Sequence, residues 1–381
     1  FTAALRLPAA PFDVGFFVRQ KFILQNFISI GCTLFRIGLL FVLLFCVSTR
    51  VLWVTTASVA MEFLLLVVSV PISMRLVPAL RFRPSLIQWS IAREITSFGG
   101  WQFFMVLGIS IRNALDPLVL NKFARAEDVA CYNLASVPFQ QLWTIVAMAK
   151  RVVNPSLIAM HAGGDHHRLQ STFLRGNRIA LWAYLMPGLP LTLFAHSLIE
   201  LYVGPRFWMT AGLIQINFFA FLVLVPAMIY SSISEAMGNP RNFCLLVLGT
   251  NLLNLVLTFV LVGWLQWGAL GSSVASAVAP ALCYPLFVWP MSRRALDIGA
   301  RDWYLEVLWP GVIPALLATP FYLGAALVFG VHSVPGLFVT LALGCIAYVT
   351  FLYLFAARRA DREDFARVIA AARTRAGFGQ S

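Results

Sequence analysis

FISIGCTLFRIGLLFVLLFCVSTRVLWVTTASVAMEFLLLVVSVPIS, residues 27–73, decides the fold. It holds two apolar runs, 27–48 and 51–73, separated by a break at Thr49 and Arg50. Each run reaches the roughly 20 residues needed to cross the hydrocarbon of a bilayer. Charge interrupts them at only two interior positions, Arg36 and Glu62. An ionised guanidinium in hydrocarbon costs several kcal/mol, so Arg36 must face protein, water or an anionic ligand. Arg36 lies as far before the break as Glu62 lies after it, so an antiparallel hairpin puts them at one depth. That leaves two readings open: a buried ion pair that fixes the hairpin, or a protonatable gate that frees Arg36 for a ligand.

The same pattern recurs outward from this hairpin. Further runs cover 96–120, 129–148, 179–202, 211–232, 243–264, 268–290, 305–329 and 335–357. They are too long for strands and lack the short alternating segments of a membrane barrel. The expected fold is all-α, a polytopic inner-membrane helical bundle with about ten transmembrane helices. Composition agrees: 60% of the 381 residues are hydrophobic and 11% charged, against about 45–50% and about 25% in a soluble domain.

The net charge of +13 would suggest nucleic acid in a soluble chain. Here the Lys and Arg residues sort by side. With the N-terminus placed inside, twenty-two fall on inner segments and only Arg50, Lys122, Arg125 and Arg206 on outer ones. Arg36 and Arg112 lie within spans. This is the bias expected of cytoplasmic loops. It places both ends in the cytoplasm and removes nucleic acid as a partner. The chain begins at Phe1 without a signal-peptide pattern, and the sequence reads as a piece that lacks an N-terminal part.

Catalytic signatures are missing from the sequence. No phosphate-binding glycine loop precedes any of the three lysines, Lys21, Lys122 and Lys150. The six cysteines show no metal-like spacing and read as small buried hydrophobes. His161, Asp165, His166 and His167 cluster beside Gly163 and Gly164, which reads as a solvated inner loop rather than a metal site. No cofactor is expected, and the chain is not read as an enzyme.

The charged residues of the third span carry more information. Arg112 and Asp116 are four apart, share a helix face and can pair. They are either a local ion pair or part of a hydrated wall, with Gln102 approximately on the same wall. Asn133, Gln140, Gln141, Gln215, Asn217, Asn251 and Asn254 lie within spans, where amides most often bond helix to helix. They also suit sugar hydroxyls. Gly271, Ala275 and Ala279 form a close-packing stripe.

One family resemblance emerges over residues 96–290. The run ALDPLVLNKFARAEDVACYNLA supplies Asp116, Leu120, Ala130, Tyr132 and Ala135; ELYVGPRF covers Glu200–Phe207, and EAMGNPRN covers Glu235–Asn242. Asn254 and GALGSSVAS follow, with Ser273 where an alanine is expected. This order resembles the polysaccharide transporter, or O-antigen flippase, family of the multidrug/oligosaccharidyl-lipid/polysaccharide exporter superfamily. The resemblance implies two helical bundles facing a central cavity, with alternating access. It implies that 1–74 ends a first bundle lacking about four upstream helices, and that 75–94 is a cytoplasmic connector. Residues 95–290 would be the second bundle, 291–357 an additional two-span hairpin and 358–381 a basic cytoplasmic tail. In that tail Phe365, Val368, Ile369 and Ala372 share a helical face, which suits either a short interfacial helix or a solvated end.

The expected function is a flippase that moves an undecaprenyl-pyrophosphate-linked oligosaccharide across the bacterial inner membrane. Its partners would be that lipid-linked oligosaccharide, membrane lipids, and polysaccharide polymerase and chain-length machinery. The implied substrate-binding set is Arg36, Arg112, Gln102 and Asn133, with Glu62 and Asp116 as ion-pair or gating residues. Two alternatives remain at this stage: a cation-coupled drug exporter of the same superfamily, and a membrane-embedded polysaccharide polymerase or ligase.

Overall fold

A computed structural model describes residues 12, 14–16, 18, 19, 21–46, 52–78, 88–358 and 361–363. The chain divides by its contacts into two units, Phe1–Arg93 and Glu94–Ser381. All regular structure among the described residues is helical. Eight helices are long and apolar enough to cross a membrane, or nine if one bent pair counts as a single span.

The first unit holds α1 (Phe22–Cys46) and α2 (Leu52–Leu76), which pack together. Small side chains are buried in this unit: Cys32 on α1, and Ala57, Ser69 and Ser73 on α2. The segment before α1 is tied to the end of α2. Arg19 Nε donates to the Leu76 carbonyl at 3.1 Å, and the Ser73 hydroxyl donates to the Phe12 carbonyl. The start of α1 and the end of α2 therefore lie at the same end of the pair.

The second unit opens with α3 (Trp89–Phe123), which begins just before the unit boundary, and α4 (Ala126–Ala162). Next come α5 (His166–Leu193), α6 (Ala195–Val203), α7 (Met209–Leu224) and α8 (Tyr230–Ala236). Then follow α9 (Arg241–Thr258), α10 (Gly268–Cys283), α11 (Trp289–Ala295), α12 (Ala300–Trp303), α13 (Trp309–Phe329) and α14 (Val334–Phe351). The core gathers around α4, α5 and α7, where Phe139 stacks on Phe221 and Tyr184 on Phe218. The Tyr184 hydroxyl donates to the Phe218 carbonyl at 2.9 Å, so its polar end is satisfied in the core. Gly271, Ala275 and Ala279 are all buried on α10, the stripe along which helices approach closely.

Proline shapes this unit. Pro187 and Pro190 remove amide donors near the end of α5, and the axis turns by 71° into α6. Two π-helical turns, Tyr284–Val288 and Tyr304–Leu308, precede Pro290 and Pro310. A proline ring clashes with the carbonyl four residues earlier. Those carbonyls, of Leu286 and Glu306, fall inside the two widened turns. Two more π turns, Phe259–Trp264 and Leu352–Ala356, end α9 and α14.

The sequence reading differs from the structure in two respects. The run 129–148 lies in α4, which at 37 residues is long enough to span but is not among the strongly apolar helices. Asn133, Gln140 and Gln141 dilute it. The expected inner loop after residue 148 is helical apart from a turn at 163–165, where Gly164 takes φ +70°. Asp165 is the N-cap of α5 there, accepting from the Arg168 amide at 3.1 Å. No group of three potential metal ligands exists among the described residues. The amphipathic face of the tail and most of the 75–94 connector lie outside the described residues.

Candidate functional site: a polar cavity in the second unit

Five helices of the second unit each turn one stripe toward a shared cavity of about 580 Å³. The α4 stripe is Asn133, Ser136, Gln140 and Thr144, spaced by three or four residues. The α9 stripe is Val247, Thr250, Asn251 and Asn254, and α7 contributes Asn217, Ala220, Phe221 and Leu224. α3 supplies Arg112, Asn113 and Asp116. Ser276 and Pro280 of α10 and Tyr284 of the following π turn complete the wall. Helical periodicity explains why such spacing falls on one face. The pattern inverts that of a soluble helix, with polar residues turned inward.

Asp116 is 3% exposed and is held by hydroxyls. Tyr132 donates to Asp116 Oδ2 at 3.2 Å, and Thr258 donates to Oδ1 at 3.3 Å. Of the two readings for Arg112 and Asp116, the close ion pair is not formed among the described residues. Arg112 Nη2 instead donates to Asn113 Oδ1 at 3.3 Å, and its buried Nε has no partner. Helix spacing makes the i,i+4 contact available, but hydroxyls from α4 and α9 occupy the carboxylate first. The guanidinium thus keeps donors available to the cavity. Asn254 Nδ2 donates to Ser276 Oγ at 3.1 Å, while its Oδ1 is buried without a partner.

Arg112, Asp116 and Asn133 come together here. Gln102 does not line this cavity; its amide donates to Glu235 Oε1 at 3.3 Å. It precedes Arg112 by ten residues, about 15 Å along a helix. Arg36 and Glu62 belong to the first unit, where Arg36 is exposed. The sequence leaves Gln140, Asn217, Asn251 and Asn254 open to two roles, helix-to-helix contact and sugar ligand. Asn254 does bond across to α10 and Asn251 bonds within its own helix to the Val247 carbonyl, yet all four also face the cavity. Ser136, Thr144 and Thr250 went unremarked. Their signal was the spacing from Asn133 through Thr144, legible only when the four positions are read as one stripe.

The formal charges of Arg112 and Asp116 cancel, and the remaining polar groups are amides and hydroxyls. Trp143, Phe221, Tyr132 and Tyr284 add aromatic faces. The chemistry suits a hydroxyl-rich ligand with one anionic group near Arg112. Such a volume falls in the usual range of ligand pockets, roughly 300–1,000 Å³.

A chain whose described residues are all-helical, with eight or nine candidate spans among them and an interior polar cavity, is a multi-pass membrane protein. A family model described as polysaccharide biosynthesis protein matches residues 23–211, and that part of the chain belongs to the family. The match covers α1 to α6 and ends at the start of α7. No curated protein matches the chain.

Proposed function

We propose that this protein is a flippase for a lipid-linked oligosaccharide. It would carry an undecaprenyl-pyrophosphate-linked sugar from the cytoplasmic to the periplasmic leaflet of a bacterial inner membrane, for surface polysaccharide such as O-antigen. The supporting observation is the cavity stripe set, with Arg112 offering unpaired donors among amides and hydroxyls. A pyrophosphate takes charge-assisted hydrogen bonds from a guanidinium. Sugar hydroxyls take the amides and the aromatic faces. The lipid tail stays in the bilayer, and rocking of helical bundles exposes the site to one side at a time, as in other secondary transporters. Arg36, within a span of the first unit, supplies a second intramembrane cation. The role is transport rather than catalysis, with both ends of the chain cytoplasmic.

The test is complementation. Arg112→Ala and Arg112→Lys are introduced into the gene in a strain lacking its own flippase, and surface polysaccharide is measured at matched protein level. Arg112→Ala is expected to reduce polysaccharide at least tenfold, a loss of about 1.4 kcal/mol or more. Arg112→Lys should retain part, because it keeps charge but not the fork. Full polysaccharide from Arg112→Ala would overturn the reading.

One observation favours a second reading. Asp116 is a buried intramembrane carboxylate, the feature a cation-coupled drug exporter of the same superfamily needs. In that case Asp116→Asn would abolish drug efflux and Arg112→Ala would spare it.

A further inference from the structure

A second cavity of about 650 Å³ lies in the same unit, between α8, the start of α9, the Tyr284–Val288 turn and α11. Its two ends differ in chemistry. Leu246, Leu286, Phe287 and Met291 form one wall, with Leu286 63% and Phe287 53% exposed. These two residues are exposed on a helix long and apolar enough to cross a membrane. Asn239, Asn242 and Arg294 form the other end. None of these three side chains has a hydrogen-bond or ion-pair partner among the described residues.

The polar end is rigidly built. Gly238 takes φ +68°, the Gly238 amide donates to the Glu235 carbonyl at 3.0 Å, and the Asn239 amide reaches the Ser234 carbonyl at 3.2 Å. This closes α8 with the left-handed turn that glycine permits. Arg294 stands in the last turn of α11 next to Arg293. Arg241, beside Asn242, lies over the Trp101 ring at 5.3 Å. Asp297, the acid nearest Arg294 in sequence, is not part of the cavity wall. Arg294 is thus the charged side chain of the wall, at the end of a slot whose other side is apolar and exposed.

We propose that this slot binds an anionic membrane phospholipid. The phosphate would sit on Arg294, Asn239 and Asn242, and an acyl chain would lie along Leu286 and Phe287. A free phosphate has no use for the apolar wall. A zwitterionic lipid brings a second cation next to an arginine already without a counter-ion. Anionic lipid is abundant where juxtamembrane arginines gather, and one such arginine near the surface contributes about 1 kcal/mol of attraction. The inference does not depend on what the central cavity carries.

The test uses the whole chain, purified in detergent. It is loaded separately with dioleoyl phosphatidylglycerol, dioleoyl phosphatidylcholine, undecaprenyl phosphate and inorganic phosphate, and retention is read by native mass spectrometry. Phosphatidylglycerol should be retained about fivefold better than phosphatidylcholine, the ratio corresponding to one arginine contact. Arg294→Gln and Asn242→Leu should each erase that preference while leaving the lipid-free melting temperature unchanged. Leu286→Asn should weaken retention of both phospholipids. Equal retention of the two phospholipids would overturn the proposal. So would an undiminished preference in both polar-end variants, or tighter binding of undecaprenyl phosphate or inorganic phosphate than of phosphatidylglycerol.

Discussion

Arg178 is 3% exposed and Asp361 1%, and they meet at 2.6 Å. Arg175 Nε reaches the other Asp361 oxygen at 2.6 Å, and the Arg358 amide donates to Oδ2 at 3.1 Å. Glu306 joins from the π turn before α13: its carbonyl accepts from Arg178 Nη1 at 3.0 Å, and its carboxylate pairs with Arg358 at 2.5 Å. Removing one partner of such a buried pair strands the other. Asp361→Ala is expected to cost about 3–5 kcal/mol and to lower the melting temperature markedly in detergent. Glu306→Gln, whose side chain is 28% exposed, should cost far less. In the cavity, Tyr132→Phe and Thr258→Val each delete one bond to Asp116. Each should cost about 1.5–3 kcal/mol, the worth of a hydrogen bond to a charged group, read as a melting shift. None of these partnerships was legible in the sequence. Arg112 beside Asp116 satisfied every local rule, whereas Tyr132 and Thr258 reach that carboxylate only through tertiary packing. Asp361 lay in what read as a basic cytoplasmic tail.

Elements were more legible than contacts. Runs such as 51–73 and 335–357 became α2 and α14 because twenty apolar residues in a bilayer leave the backbone no option but its own hydrogen bonds. Boundaries drifted where helices outrun the apolar stretch, as α4 does to Ala162. The π turns were invisible, since a widened turn leaves no mark on hydropathy. Close approach of α13 and α14 rests on Gly344, where a methyl group would fall 2.0 Å from the Tyr322 ring. Gly344→Ala must part the helices or turn that ring, and should cost about 1–3 kcal/mol. Gly324→Ala, on α13 with open space around it, should be neutral or slightly stabilising. Melting of the two variants side by side separates packing from helix propensity.

For the molecule as a whole, the last hairpin is bolted to α5 rather than hung on its edge. The Trp182 indole donates to the Pro310 carbonyl at 2.8 Å, the Tyr348 hydroxyl to the Trp182 carbonyl at 3.3 Å, and the Arg178 guanidinium lies over the Trp182 ring. The proposed orientation can be read by labelling. In a background without the six native cysteines, cysteine at Gly163 or Gly238 should react with a membrane-impermeant maleimide only after the inner face is opened. Cysteine at Arg206 or Ser333 should react in intact cells. The reverse pattern would turn the molecule over and with it the direction of transport.

The turn at Tyr284–Val288 gives Tyr284 to the polar cavity and Leu286 and Phe287 to the lateral slot. A π turn is an α-helix carrying one surplus residue. It absorbs that residue between the two chambers without turning the helical segments on either side out of phase. Deleting a single residue there would restore regular α geometry and leave Arg293 and Arg294 facing as they do now, whereas deleting one from the regular helix just ahead of them would swing both by about 100°, the angular step of one residue. The turn is therefore the place where this helix tolerates a change in length.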